Sequence, residues 1–266
     1  MLRLLSLIVL LCLCSNVAAG NLAREAVTAL SVKKKLGSGE VIELGADDKT
    51  FIAVYEQSTL ALKQGGIILL HDINENPDSP LVIRTLRTRL TENGWDTLSL
   101  LMPMAGRQSP RDIYYSLKDI SIYRISEAVK FFEKKNNINL GLVGHGMGAN
   151  MAAQFQAATP LEGIRGIVMI NADAKHASTE EALKVIDVPI LDLYGSQSHP
   201  RVQDTAVNRK RAISFTAGNL NFRQYRYLGA DDDFRGLQDQ LYLTIRAWLG
   251  KNISGKEIIL NNKEQN

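Results

Sequence analysis

The chain has 266 residues, 45% apolar and 22% charged, enough to bury a full hydrophobic core. Its 31 basic and 28 acidic residues leave a formal charge of +3, and no stretch gathers the basic residues on one face, which excludes an electrostatic footprint for nucleic acid. Cys12 and Cys14 are the only cysteines, so a chain trimmed beyond them has no disulfide, no thiolate metal site and no cysteine nucleophile.

Residues 1–19 read as a signal peptide rather than as part of the fold. Arg3 supplies the short positive start, Leu4 to Leu13 an apolar run in which Ser6 is the one hydroxyl residue, and Val17-Ala18-Ala19 a small-residue cleavage site before Gly20. The run is shorter than the ~20 residues needed to span a bilayer. The residues before both cysteines are leucines, which argues against a lipidated cysteine. The expectation is export, to the periplasm in a Gram-negative host, with no membrane span left after cleavage. A single domain is expected over residues 20–250, followed by a polar tail over 251–266.

After a short charged segment through Lys35, Val41–Leu44 and Phe51–Glu56 read as two strands of a hairpin turning at Gly45-Ala46-Asp47-Asp48-Lys49. From Gly66 the pattern changes to short apolar runs separated by amphipathic stretches, the mark of a parallel sheet with crossover helices. The runs are 67–70, 97–101, 140–143, 164–170, 189–194 and 222–228. Between them Val82, Leu86 and Leu90, then Ile122, Ile125, Val129 and Phe132, then Met151, Ala152 and Phe155 recur at helical spacing. Leu237, Leu241, Ile245 and Trp248 mark a closing helix. The predicted fold is α/β, an eight-stranded, mostly parallel sheet with flanking helices. Only about ten residues separate Ile170 from the helix near Glu180, too few for a large cap domain. Asn252-Ile253-Ser254 matches a glycosylation acceptor, relevant only in a eukaryotic secretory pathway.

The chemistry is expected where the run ending at Val143 meets its helix, at Gly144-His145-Gly146-Met147-Gly148. A strand, a turn of small residues and a helix form the G-x-S-x-G frame, in which the central serine projects above the sheet. Here that residue is Gly146. On this frame, and on Leu69-Leu70-His71-Asp72 before it, the chain resembles the α/β-hydrolase family from about Gly37 to Gly250. It is most similar to an uncharacterised group of exported proteobacterial proteins in which a strand-ending histidine precedes Asn- and Pro-rich sequence such as Ile73-Asn74-Glu75-Asn76-Pro77.

The resemblance implies oxyanion-like backbone at Met147 and at Asp72. It also implies an acid after Leu193-Tyr194-Gly195, where this chain has Ser198, and a histidine in Gly229-Ala230-Asp231-Asp232-Asp233-Phe234, where it has Asp232. All three triad positions, Gly146, Ser198 and Asp232, therefore lack the family residue. Without its nucleophile such a site keeps at best ~10³–10⁴-fold acceleration over water. No catalytic residue is expected by the usual triad, and Gly146→Ser should cost about 1–3 kcal/mol from backbone strain without creating an esterase.

His71, His145 and His199 are the cleft-lining candidates. His145 reads as packed under the turn, His71 as holding its loop, and His176 and His199 as loop residues. Asp231, Asp232 and Asp233 read as a solvated loop, since a calcium loop needs regular ligand spacing and a turn glycine. Ser79, Ser109, Ser196 and Ser198 could each supply a hydroxyl from the upper loops, but a serine is a poor nucleophile without an adjacent base. No cofactor and no metal are expected. The resulting expectation is a non-catalytic binding protein of the cell envelope, taking a peptide, protein, lipid or glycan at the C-terminal edge of the sheet. Two alternatives stand beside it. One is a hydrolase built on His145 or His71 with Asp72 and a loop serine; the other is a structural assembly factor.

Overall fold

The computed structural model describes residues 20–137, 139–214 and 221–254. The leader, both cysteines and all but the first residues of the tail lie outside them. The described elements are α1 (Leu22–Lys35), β1 (Glu40–Leu44), β2 (Phe51–Glu56), β3 (Gly65–Leu70), α2 (Thr85–Thr91), β4 (Trp95–Leu100), α3 (Ile113–Ser116), α4 (Lys118–Lys134) and β5 (Leu140–His145). They continue with α5 (Met147–Ala158), β6 (Ile164–Ile170), α6 (Ala177–Leu183), β7 (Ile190–Gly195), α7 (Pro200–Asp204), α8 (Ala206–Ser214), β8 (Arg223–Tyr227) and α9 (Gln238–Asn252).

The eight strands form one sheet in the order β1-β2-β4-β3-β5-β6-β7-β8. β1 and β2 pair antiparallel, β2 runs antiparallel to β4, and β3 to β8 are parallel. The architecture is the α/β-hydrolase sheet, and no large cap covers it among the described residues. The continuous apolar runs are explained by burial on both faces: Ile67, Ile68, Leu69 and Leu70 are each fully buried. One face packs on α4 and α5 through Phe132, Ile125 and Phe155; the other packs on α2 and α9 through Leu86, Leu90, Ile245 and Trp248.

Three local readings change. The charged segment before Lys35 is a helix, α1, capped by Asn21, whose Oδ1 accepts the Arg24 N–H at 3.0 Å. Only Glu25 and Val32 of α1 are buried, so its apolar residues mark no face turned to the core and its charges dominated the reading. Glu25 instead anchors it by pairing with the buried Arg124 at 2.6 Å. The second change lies between β7 and β8, where α7 and α8 fill a segment too rich in Arg, Lys and Asn to show a stripe. The third is at the C-terminus, where α9 runs to Asn252, so the tail begins later than Lys251.

Parallel strands end together, so the loops after β3, β5, β6, β7 and β8 gather at one edge of the sheet. In open α/β sheets this is where ligands bind.

Candidate functional site

The turn from β5 into α5 fixes the centre of the site. Gly146 has φ 53° and ψ −117°, a conformation that a residue with a Cβ adopts only under strain. Gly148 lets the helix start close beneath β3: a Cβ there would lie 2.2 Å from the Leu70 carbonyl oxygen. The elbow geometry of a nucleophile turn is therefore built, with glycine at its apex.

The Met147 N–H, expected as an oxyanion donor, does not stand free, and here the expectation is corrected. A Cβ on Gly146 would stand 2.0 Å from Cγ of Asp72 and 2.2 Å and 2.3 Å from its two carboxylate oxygens. The Asp72 carboxylate, carried by the loop after β3, fills the space in which a serine side chain would begin. Its Oδ1 accepts the Met147 backbone N–H at 2.6 Å, so the α5 N-terminus already holds an anion supplied by the chain itself.

The second expected oxyanion donor is also corrected. The backbone N–H of Asp72 donates to Oε2 of Glu75 at 2.9 Å and is spent within its own loop. That loop is rigidly tied. Asn74 has φ 65°, Oδ1 of Asn76 accepts the Asp78 N–H, and the Asp78 carboxylate receives both Arg84 and the fully buried Arg87.

His145 ends β5 and is buried. Its Nδ1 lies 3.1 Å from Glu75 Oε2 and its Nε2 lies 2.8 Å from the Asp232 carbonyl oxygen. Both partners are acceptors, so both ring nitrogens must carry hydrogen and the ring is an imidazolium. Burial pulls the His145 pKa down, but the Glu75 charge and hydrogen bond, helped by Asp72 and the Asp232 carbonyl, hold it up at about 9. Burial would raise the Glu75 carboxyl; the His145 charge and hydrogen bond, with the Asp72 N–H, outweigh it and bring the pKa to about 2. An imidazolium so placed has no ring lone pair with which to take a proton.

His71 is committed in the opposite protonation state. Its Nδ1 donates to the Asp72 carbonyl at 2.7 Å and its Nε2 accepts the Met102 N–H at 3.0 Å. That makes it a neutral ring, and burial lowers its pKa. It is a loop support beneath Asp72 that faces a narrow pocket with Met102 and Met147, and it is not among the walls of the cavity that His145 and His199 line.

The other two triad positions meet at Asn171, just beyond β6, itself at φ 50°. Its Oδ1 accepts the Gly195 N–H at 3.0 Å and the Ser198 hydroxyl at 2.9 Å, and its Nδ2 donates to the Asp232 carbonyl at 2.8 Å. Ser198 is buried by this contact. The Asp232 carboxylate turns outward and accepts the His199 N–H at 2.9 Å. His199 caps α7, its Nδ1 accepting the Arg201 N–H at 3.2 Å. His176 caps α6 and stacks on Tyr115 at 4.1 Å.

An unbroken hydrogen-bonded line therefore runs from Ser198 through Asn171, the Asp232 carbonyl, His145 and Glu75 to the Asp72 N–H. It ties the loops after β3, β5, β6, β7 and β8 together. Arg111 closes the opposite side, with Nε 2.9 Å from Asp173 and Nη1 3.6 Å from Asp72. Burial would lower the Arg111 pKa, but the charges of Asp72 and Asp173 raise it.

Above these groups lies an open cavity of about 380 Å³ lined by Asp72, Arg111, His145, Asn171, His199, Arg201, Val202 and Asp232. Its walls carry charges of both signs, suited to a polar ligand. A larger hollow of about 580 Å³ lies away from this edge, between β8 and α9. Among the described residues, no three His, Cys, Asp or Glu side chains come together to hold a metal ion.

Sequence reasoning named Asp72, His145, Ser198, His199 and Asp232 but not Glu75, Arg111, Asn171 or Asp173 as site residues. Glu75 was visible as the first acid after Asp72 in its loop, and Asn171 and Asp173 as polar residues just after an apolar strand. Nothing in the sequence marks Arg111, which reaches the site from 39 positions beyond Asp72.

Comparison with solved structures agrees with the fold. Est1E from Butyrivibrio proteoclasticus matches with a TM-score of 0.65 at 13% identity, over 81% of this chain and 99% of that one. A dienelactone hydrolase from Anabaena variabilis matches with a TM-score of 0.67 at 13% identity, over 81% and 98%. An alpha-beta serine hydrolase homologue from Coxiella burnetii matches with a TM-score of 0.65 at 14% identity, over 80% and 98%. No curated protein matches the sequence. The family described as "Protein of unknown function (DUF3530)" matches residues 16–121 and 116–251. Covered by that family over most of its length, the chain belongs to DUF3530 and carries the α/β-hydrolase fold.

Proposed function

We propose that this is an exported, non-hydrolytic member of the α/β-hydrolase superfamily that binds a polar ligand in the cavity above Asp72. One observation carries the reading: the Asp72 carboxylate fills the serine's space and takes the Met147 N–H. An ester oxygen would have to displace that anion from the donor that stabilises tetrahedral intermediates in the fold's enzymes. The protonation states of His71 and His145 support the same reading, since neither offers a lone pair to a nucleophile. Export rests on the leader-like residues 1–19. A peptide, protein, lipid or glycan of the envelope is the proposed class of partner; Arg111, Arg201, Asp232 and His199 favour the charged or hydroxylated part of such a molecule.

The test is exposure of the purified protein to a fluorophosphonate probe and to ester, thioester and amide substrates. No labelling and no turnover are expected. Stoichiometric labelling of any serine would overturn the reading.

A second reading has one observation in its favour. Asp72 stands at the elbow apex as a carboxylate, and the structural relatives include an enzyme named as a hydrolase. In that reading Asp72 attacks an acyl carbon, the alcohol leaves with a proton taken from solvent, and water then cleaves the mixed anhydride at the Asp72 carboxyl carbon, releasing the acid and regenerating the carboxylate. Single-turnover reaction in ¹⁸O-water would leave the label in Asp72, whereas a binding protein leaves it unlabelled.

A further inference from the structure

The surface of α1 carries an inference independent of what the cavity binds. The helix is fastened to the body along one side by Glu25, paired with Arg124, and by Val32, which packs with Ile52, Val54, Leu101 and Met104. The opposite side is apolar and uncovered: Leu22 is 67% exposed, Val27 68% and Leu30 68%, with Ala23 and Ala26 exposed between them. At 3.6 residues per turn these five residues form one stripe directed away from the protein. The last turn then adds Lys33, Lys34 and Lys35, all exposed.

An apolar stripe facing water is unfavourable unless something covers it. We infer that α1 is an interfacial helix that lays Leu22, Val27 and Leu30 on an anionic lipid surface, with Lys33, Lys34 and Lys35 among the headgroups. Two points favour lipid over a second copy of the chain. Three aliphatic side chains fall far short of the roughly 800 Å² per partner of a stable protein interface. The lysine triplet would repel its counterpart in a symmetric pair, whereas an anionic surface attracts it. Apolar contact plus a basic cluster is the two-part signal that reversible membrane attachment requires. By sequence, the apolar run Leu4–Leu13 lies just upstream, so the leader would bring α1 to a membrane during export.

The experiment is vesicle flotation of the protein as recovered from an exporting host, with its N-terminus identified by mass spectrometry and shared by all variants. Vesicles of phosphatidylglycerol with phosphatidylcholine are compared with phosphatidylcholine alone. Wild type should float with the anionic vesicles and be released in about 1 M salt, where charge is screened within ~3 Å. Changing Leu22, Val27 and Leu30 together to Gln should lower the bound fraction at least tenfold without altering the melting curve. The triple change Lys33→Glu, Lys34→Glu, Lys35→Glu should remove the preference for anionic lipid. Three results would overturn the inference. They are wild type remaining in the aqueous fraction with both vesicle types, the Gln variant floating like wild type, or sedimentation showing a dimer that the Gln variant dissolves. The salt release needs no substitution and stands even if a variant fails to fold.

Discussion

Glu75 and His145 face each other at 3.1 Å beneath the elbow, an ion pair that joins the loop after β3 to the end of β5. Its members titrate far from their ordinary values, in directions that favour the charged pair. Glu75 is depressed from 4.5 to about 2, so its contribution to stability is full above pH 4.5 and is lost as pH falls towards 2. His145 is raised from 6.5 to about 9, so its contribution is full below pH 6.5 and is lost as pH rises through 9. Urea denaturation should therefore show a plateau between pH 4.5 and 6.5, falling by roughly 1–3 kcal/mol on each side. Glu75→Gln should flatten both limbs. A profile unchanged by that substitution would mean that other groups set the pH dependence.

Any side chain at Gly146 meets the Asp72 carboxylate. Steric overlap and backbone strain combine, so Gly146→Ser should cost about 2–5 kcal/mol, more than strain alone. Adding Asp72→Gly should restore part of that loss, because it removes the colliding group. Neither variant should hydrolyse p-nitrophenyl esters, since His71 and His145 remain committed. Urea midpoints for the single and double variants, with ester assays alongside, check both statements.

Asn171 serves three loops with one amide. Asn171→Ala should orphan the Gly195 N–H and the Ser198 hydroxyl, leave the Asp232 carbonyl with His145 alone, and lower stability by about 2–4 kcal/mol. Hydrogen exchange should accelerate at residues 195–199 and 229–234 before it does so in the central strands. Asn171→Asp keeps an acceptor for Gly195 and Ser198 but turns a second oxygen toward the Asp232 carbonyl, so it should rescue little.

Arg111 neutralises the fully buried Asp173 and leans on Asp72. Removing it leaves a buried carboxylate without its partner, and Arg111→Ala should cost about 3–5 kcal/mol. Arg111→Lys should recover less than half, because a point charge cannot reach both carboxylates with the geometry of a planar fork. Thermal unfolding of the two variants distinguishes charge from geometry.

The sheet was legible because burial on both faces writes itself as unbroken apolar runs, as in Ile67–Leu70 and Ile167–Ile170. Helices with one buried stripe, such as α4 and α9, were equally clear. Where a helix is held by polar contacts the signal fades: α1 is anchored by Glu25 and Arg124, and α8 buries Arg209 against Asp192 at 2.8 Å. The site was half legible for a related reason. The glycine at 146 and the residues at 198 and 232 could be read against the family's frame, but what fills the space above Gly146 could not. Asp72 is 74 positions away, and its arrival at the apex depends on how two loops approach in space. Glu75 and Arg111 escaped because charges in loops look solvated until the fold brings their partners to them.

The Asp72 carboxylate also makes position 146 dependent on a distant part of the chain. A hydroxyl-bearing side chain there collides with the aspartate, and shortening the aspartate alone leaves the apex without any side chain. A serine can therefore stand at the apex only with coordinated changes in two segments, the loop after β3 and the turn after β5.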